Sequence, residues 1–360
     1  MKTKLSIKNF FHRFDDISYS LIAVVIGLIV GAIIMALTGF DPIEGIVGLI
    51  KGGFLSPYAI ASTFTRATPI IFAGLSAALA WGSGYSSMGA QGQMIMGAIT
   101  AAIVAPLIKG PAILVVIVTL LASMLAGALY SLLSAYISAK FDAYLLIITL
   151  MFNYVADYFA SYLTNYVFLD PYALDKLAIQ TQLIENGTIP RIFSRYTTHY
   201  GFIIALLCVA IVAFIINKTS FGYKARMSGL NPNFAEYGGI QSRKTMYKVL
   251  LLSGALAGLG GALEVLGSKF RYVDKMITSP GYSWSGITAS LMSNYSAVGV
   301  LISSIFLAGI TVGGSSIELL MSIPSEITLI IQGIITMLVT AKFVIKLPKF
   351  KKKEGDKDDI

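Results

Sequence analysis

The chain has 360 residues, 56% of them hydrophobic and only 12% charged, with a mean hydropathy of +0.77. A soluble domain carries roughly 25% charged residues. Apolar residues here fall in long runs, which excludes an ordinary water-soluble fold and predicts an all-α membrane bundle. A single cysteine, Cys208, excludes an intramolecular disulfide, a Cys-based metal cluster and a redox pair, and the net charge of +9 is informative through its placement.

The first apolar run, 17–37, follows Lys2, Lys4, Lys8 and Arg13. It is too long for a signal-peptide core and lacks an A-x-A end, so it reads as an uncleaved first helix. Further spans are predicted at 57–82, 90–108, 112–138, 143–168, 200–217, 246–267, 285–297, 299–314 and 326–346. The eighth and ninth are short enough to be half-helices or a re-entrant pair, which gives 8–10 spans in all.

Arg66 is the deepest charge in these runs and reads as one arm of a structural salt bridge, because an ion at mid-bilayer faces protein or water. Asn153, in the middle of the fifth span, bonds either a neighbouring helix or a solute. Asp157 and Glu264 fall toward helix ends, where burial costs less. His12 and His199 lie outside the runs and suggest no intramembrane proton relay.

Two glycine-rich segments repeat. GYSSMGAQGQM from Gly84 and GYSWSGITASL from Gly281 share Gly, Tyr, Ser and a second Gly (Gly89, Gly286), and each follows a span with a small-residue stretch, AGLSAAL from Ala73 and SGALAGL from Ser253. By span parity the first segment starts inside and the second outside, the signature of an inverted-topology repeat with a solute path between its halves. Irregular backbone at membrane depth survives where it is buried or lines a cavity. The alternative is that these glycines are helix-packing contacts. Candidate path residues are Tyr85, Gln91, Gln93, Asn153, Trp284, Ser285 and Asn294.

Loop 169–199 mixes Asp170, Asp175, Lys176, Glu185, Arg191 and Arg195 and reads as an ordered extracytoplasmic cap. Loop 218–245 holds Lys218, Lys224, Arg226, Arg243 and Lys244, and with the basic tail it places the N- and C-termini in the cytoplasm. In that loop Asn231-Pro232 starts a short helix that Gly238 and Gly239 close. The expected organisation is a cytoplasmic tail over 1–16, a transmembrane domain over 17–346 and a charged cytoplasmic tail over 347–360 whose basic part rests on anionic lipid.

Loop 218–245 also carries a pattern that resembles the permease subunits of ABC importers of the nucleoside, simple-sugar and branched-chain-amino-acid type. The pattern is T-x-F-G…R…G-x-N-P…A…Y-x-G-I, held by Thr219, Phe221, Gly222, Arg226, Gly229, Asn231, Pro232, Ala235, Tyr237, Gly239 and Ile240. IITLMFNYVA at 147–156 and the segment around Gly89–Met94 are further matches, whereas Tyr85–Gly89 and Trp284–Ile287 depart from the family's usual residues.

The resemblance implies a type II importer fold and a bacterial cytoplasmic-membrane location. It implies ATPase coupling through Gly222, Arg226, Gly229, Asn231, Ala235, Tyr237 and Gly239. The implied partners are an ABC ATPase, a second permease subunit in a heterodimer and an extracytoplasmic solute-binding lipoprotein, with no nucleic acid. The chain holds no G-x-x-x-x-G-K-[ST] motif, so ATP and magnesium belong to the partner, and no enzymatic activity, cofactor or metal is expected of this subunit. A nucleoside is the leading solute, with simple sugars and riboflavin-like compounds as alternatives. An ion-coupled secondary carrier is the competing class.

Overall fold

A computed structural model describes residues 22–171, 179–193 and 195–344. The expected tails at 1–16 and 347–360, the start of the first span, and Asp175 and Lys176 lie outside the described residues.

The described chain is helical, with isolated β-bridges only (Leu169 with Thr181, Gln180 with Val273, Arg191 with His199). In order, α1 is Ile22–Leu37, α2 Pro42–Ile50, α3 Pro57–Gly82, α4 Ala90–Leu107, α5 Ala112–Lys140, α6 Leu145–Tyr162 and α7 Gly201–Lys218. Then come α8 Ser220–Leu230, α9 Pro232–Tyr237, α10 Ser242–Glu264, α11 Tyr282–Met292, α12 Ala297–Met321 and α13 Glu326–Val344. π-helical turns extend α2, α6 and α10. Seven of these helices, counting the extensions of α6 and α10, are long and apolar enough to cross a bilayer: α3, α4, α5, α6, α7, α10 and α12.

The sequence reading missed α2 and misjudged the pair after α10. Helix α2 starts cleanly: the Asp41 carboxylate accepts from the N–H groups of Ile43 (2.7 Å) and Glu44 (3.2 Å), and Pro42 occupies the first helical position. Its apolar run is too short and too interrupted by Glu44, Lys51 and two glycines to register as a span. Of the two expected half-helices only α11 is short, at 11 residues, while α12 runs for 25. Helix α12 continues seven residues beyond the expected end at 314, and its glycines are packing positions: Gly309 faces the Phe54 ring, Gly313 the Leu49 backbone and Gly314 the Thr328 side chain. Ser322, in the left-handed region at φ 55°, ends α12 just before Pro324.

Two ends of the bundle can be distinguished by contact. At one, the cap, Thr198 donates to Ala61 O, Asn186 to Gly110 O, and Ile189 N to Leu266 O. At the other lie α8 and α9, where Gly84 meets Gly229 and Arg243 donates to Ala139 O. Helix α3 therefore runs from the cap end to the α8–α9 end, and α10 runs back.

The helices exchange partners across the repeat. Helix α10 of the second half packs on α4 and α5 of the first, and α3 of the first packs on α11 and α12 of the second. Small residues allow this close approach. Gly258 of α10 lies against Gly97 of α4 and Gly127 of α5, where any side chain would overlap backbone, and Gly74 of α3 lies against Gly286 of α11. Helices α3 and α10 cross in contact, the Ser76 and Ser253 hydroxyls 2.8 Å apart. The apolar stretches of both are 83% buried, against 22% for peripheral α6 and α7, so the axis of the bundle is this antiparallel pair.

Candidate functional site

The α8–α9 module is built by the signature residues. Thr219 caps α8 through Gly222 N (3.3 Å), and its own hydroxyl donates to Ile215 O (2.6 Å). Gly222 lies on the carbonyls of Ile215 and Ile216, and Arg226 donates to Ile216 O at 3.1 Å, so α8 is folded back on the end of α7. Asn231 caps α9 through Phe234 N (3.0 Å) ahead of Pro232, and Gly239 at φ 76° closes it, with Ile240 N donating to Ala235 O. Ala235 is buried beneath this helix.

The capping and packing roles leave a second set of side chains outward. Leu230 is 81% exposed, Phe234 62% and Tyr237 93%, an apolar cluster at the α8–α9 end flanked by Lys224 and Arg226. Exposed aromatic and aliphatic groups of this kind are enriched where proteins bind one another. Tyr237 was expected here; Leu230 and Phe234 were not, because an apolar residue in a loop gives no sign of its exposure.

Turn 83–89 joins this module to the bundle. A methyl group on Gly229 would overlap the Ser83 carbonyl oxygen, and one on Gly84 would overlap the Gly229 backbone. Tyr85 lies among Leu79, Ala225 and Val249, and its hydroxyl is 2.7 Å from Ser228 Oγ and 3.3 Å from Ser242 O. Burial pushes this phenol above its ordinary range, outweighing the opposite effect of the Ser228 bond. Tyr85 thus lies at the α8–α9 end, away from the crossing of α3 and α10.

The other expected path residues separate into two groups. Asn153 is fully engaged: its Oδ1 accepts from Gly92 N and its Nδ2 donates to Met88 O, each at 2.8 Å, which holds the start of α4 against α6. Gln93 is buried by the axis, with Ser76 Oγ 3.5 Å from its Oε1. Gln91 and Ser285 are half-buried, and Trp284 is 51% exposed. These three occupy the starts of α4 and α11, the helices that follow the two GYS segments, which touch where Ser283 donates to Met94 Sδ at 3.6 Å. Asn294 lies with Tyr295 in the left-handed turn between α11 and α12, and Tyr295 packs on Gly82 at the α8–α9 end.

Arg66 corrects an expectation. Among the described residues the ion pair joins Arg271 and Asp170 instead, 3.9 Å apart at the cap end. The Arg66 guanidinium stands 5.8 Å from the centre of the Tyr282 ring, a cation–π arrangement. Tyr282 in turn donates to the buried carboxylate of Glu264 at 3.1 Å. Arg66 therefore packs on the ring of Tyr282, whose hydroxyl takes the Glu264 carboxylate.

Residues 59–340 match the family described as branched-chain amino acid transport system / permease component. The chain is 31% identical to the guanosine ABC transporter permease protein NupP of Bacillus subtilis over 95% of its own length and 98% of the relative's. It is 30% identical to the nucleoside ABC transporter permease protein NupB of Lactococcus lactis, covering 94% and 97%, and 30% identical to the glucose ABC transporter permease protein TsgB13 of Haloferax volcanii, covering 89% and 87%. No solved structure matches the chain.

Proposed function

We infer the function from the premise that this chain belongs to the branched-chain amino acid transport system / permease component family: it is the membrane-spanning subunit of an ATP-driven importer, and its solute is a nucleoside. The full-length similarity to a guanosine and a nucleoside permease supports the solute class. A separate ATPase covers Leu230, Phe234 and Tyr237, a second permease subunit completes the solute path, and a solute-binding lipoprotein delivers its load at the cap. The α8–α9 end faces the cytoplasm, in keeping with Lys218, Lys224, Arg226, Arg243 and Lys244.

The carrying observation is the exposed cluster on α8 and α9. Most signature residues around it are occupied in folding the module, so the outward side chains, Tyr237 among them, are the part left for a partner. The path runs along α4 and α11, where Gln91, Trp284 and Ser285 remain open to solute. Trp284 supplies a ring face for a nucleobase, and Gln91 and Ser285 supply hydrogen bonds for ribose or base edges.

The test is reconstitution of the permease with its ATPase, second permease and binding protein in proteoliposomes. Guanosine and other nucleosides should stimulate ATP hydrolysis and enter the vesicles, with glucose inert. Glucose-dependent uptake without nucleoside uptake would overturn the solute assignment. Uptake that follows an imposed ion gradient and ignores ATP would overturn the importer.

A further inference from the structure

We propose that Tyr85 is a positioning residue through which movement of α8 and α9 enters the membrane-spanning bundle, the 83–89 turn being the receiver of the ATPase stroke. The inference rests on the importer reading above and goes beyond it, because it names the element that the stroke moves.

The geometry is a hub. Ser228 of α8 shares a hydrogen bond with the Tyr85 hydroxyl at 2.7 Å, and that hydroxyl also reaches the carbonyl of Ser242 at the start of α10, 3.3 Å away. Ser242 Oγ donates to Pro232 O, the first residue of α9, at 3.1 Å. One phenol oxygen therefore ties α8 and the start of α10 to the loop that ends α3 and begins α4, and Ser242 extends the link to α9. Beside it the backbones of Gly84 and Gly229 are in direct contact, so α8 cannot advance toward the membrane without pushing Ser83 and Gly84. The loop itself has little slack: Tyr85 N donates to Ala80 O, the Trp81 indole to Ser87 O, and Met88 N to Thr149 Oγ1. A displacement delivered at Gly84 is passed to α3 on one side and to the start of α4 on the other. Asn153 then grips Met88 and Gly92 and carries it to α6.

The inverted repeat supplies an internal comparison. Tyr282 occupies the matching place in the second GYS segment, at the cap end, and its hydroxyl is spent inside the bundle on Glu264. Tyr85 bonds instead to residues 143 and 157 positions away, on α8 and at the start of α10. Packing alone would require only the ring, which the Leu79, Ala225 and Val249 cluster holds without the oxygen. The hydroxyl is the part that reaches the coupling module.

The experiment uses the complete reconstituted importer and reads two rates, guanosine uptake and ATP hydrolysis. Tyr85→Phe should leave thermal unfolding and ATPase co-purification as in wild type, while ATP hydrolysed per guanosine imported rises about fivefold, the factor one ordinary hydrogen bond represents. Ser228→Ala should give a rise no larger than this, and the double variant no more than Tyr85→Phe alone, because loss of the phenol oxygen already removes the Ser228 bond. Tyr130→Phe, which deletes a hydroxyl bonded to Phe152 O within the bundle, should leave the ratio unchanged. A wild-type ratio in Tyr85→Phe, or additive effects in the double variant, would overturn the positioning role while wild-type transport stood. Absence of ATP-driven uptake by the wild-type complex would overturn the importer reading, and this inference with it.

Discussion

Two buried polar side chains, Asn153 and His199, have specific backbone partners, and the loss of each can be assessed by itself. Asn153 satisfies one buried backbone donor and one acceptor at the start of α4. Replacing it with Leu keeps the volume and orphans both, which costs about 2–4 kcal/mol and should appear as a lower melting temperature in detergent. His199, in the cap just before α7, gives a pH-dependent case. Burial holds its imidazole down from 6.5 to about 4, and the neutral ring accepts from Gly201 N at 3.1 Å. The folded value lies below the unfolded one, so the stabilisation is complete above pH 6.5 and is lost as pH falls from 6.5 toward 4. At pH 5 the loss is about 2 kcal/mol. Thermal unfolding of wild type should weaken between pH 7.5 and 5 by more than that of His199→Gln; equal slopes would refute the assignment.

Among the elements, α9 separates folding from docking most sharply. Phe234→Ala with Tyr237→Ala removes two exposed rings and should leave thermal stability within about 0.5 kcal/mol of wild type, yet abolish co-purification of the ATPase. Ala235→Leu overpacks a buried site and should cost about 1–3 kcal/mol, so its loss of coupling would come with a lower melting point. Retained ATPase binding by the double-ring variant would show that the partner docks elsewhere. Six of the seven long spanning helices were legible in sequence at close to their full length because their apolar runs are long. Helix α2 and the true length of α12 were not: α2 is short and carries Gly45 and Gly48, and α12 continues past residue 314 through Ser315, Ser316 and Glu318, polar residues that do not read as part of a span. The coupling signature was legible as a pattern, but most of it proves to be caps and close contacts. The exposure of Leu230 and Phe234 carries no local mark, and neither does the Tyr85–Ser228 bond, whose ends lie 143 residues apart.

At the scale of the molecule, the exchange of α3 and α10 makes two packed groups, α3 with α11 and α12, and α10 with α4 and α5. They meet along the axis at Ser76 and Ser253, so a side chain that forces α10 from α4 and α5 disrupts both groups at once. Gly258→Leu, against the backbones of Ser123, Gly127 and Gly97, should therefore prevent folding of the whole bundle and not only of its second half. The same antiparallel arrangement fixes which segments share a membrane face, whatever the absolute orientation. The proposed function places the positively charged α8–α9 end inward. In a Cys208→Ala background, a membrane-impermeant maleimide added to intact cells should modify Glu185→Cys, exposed in the cap. Glu236→Cys, exposed on α9, should react only after permeabilisation. The reverse pattern would place α8 and α9 outside, where no cytoplasmic ATPase could reach Tyr237, and the importer assignment would fail with it.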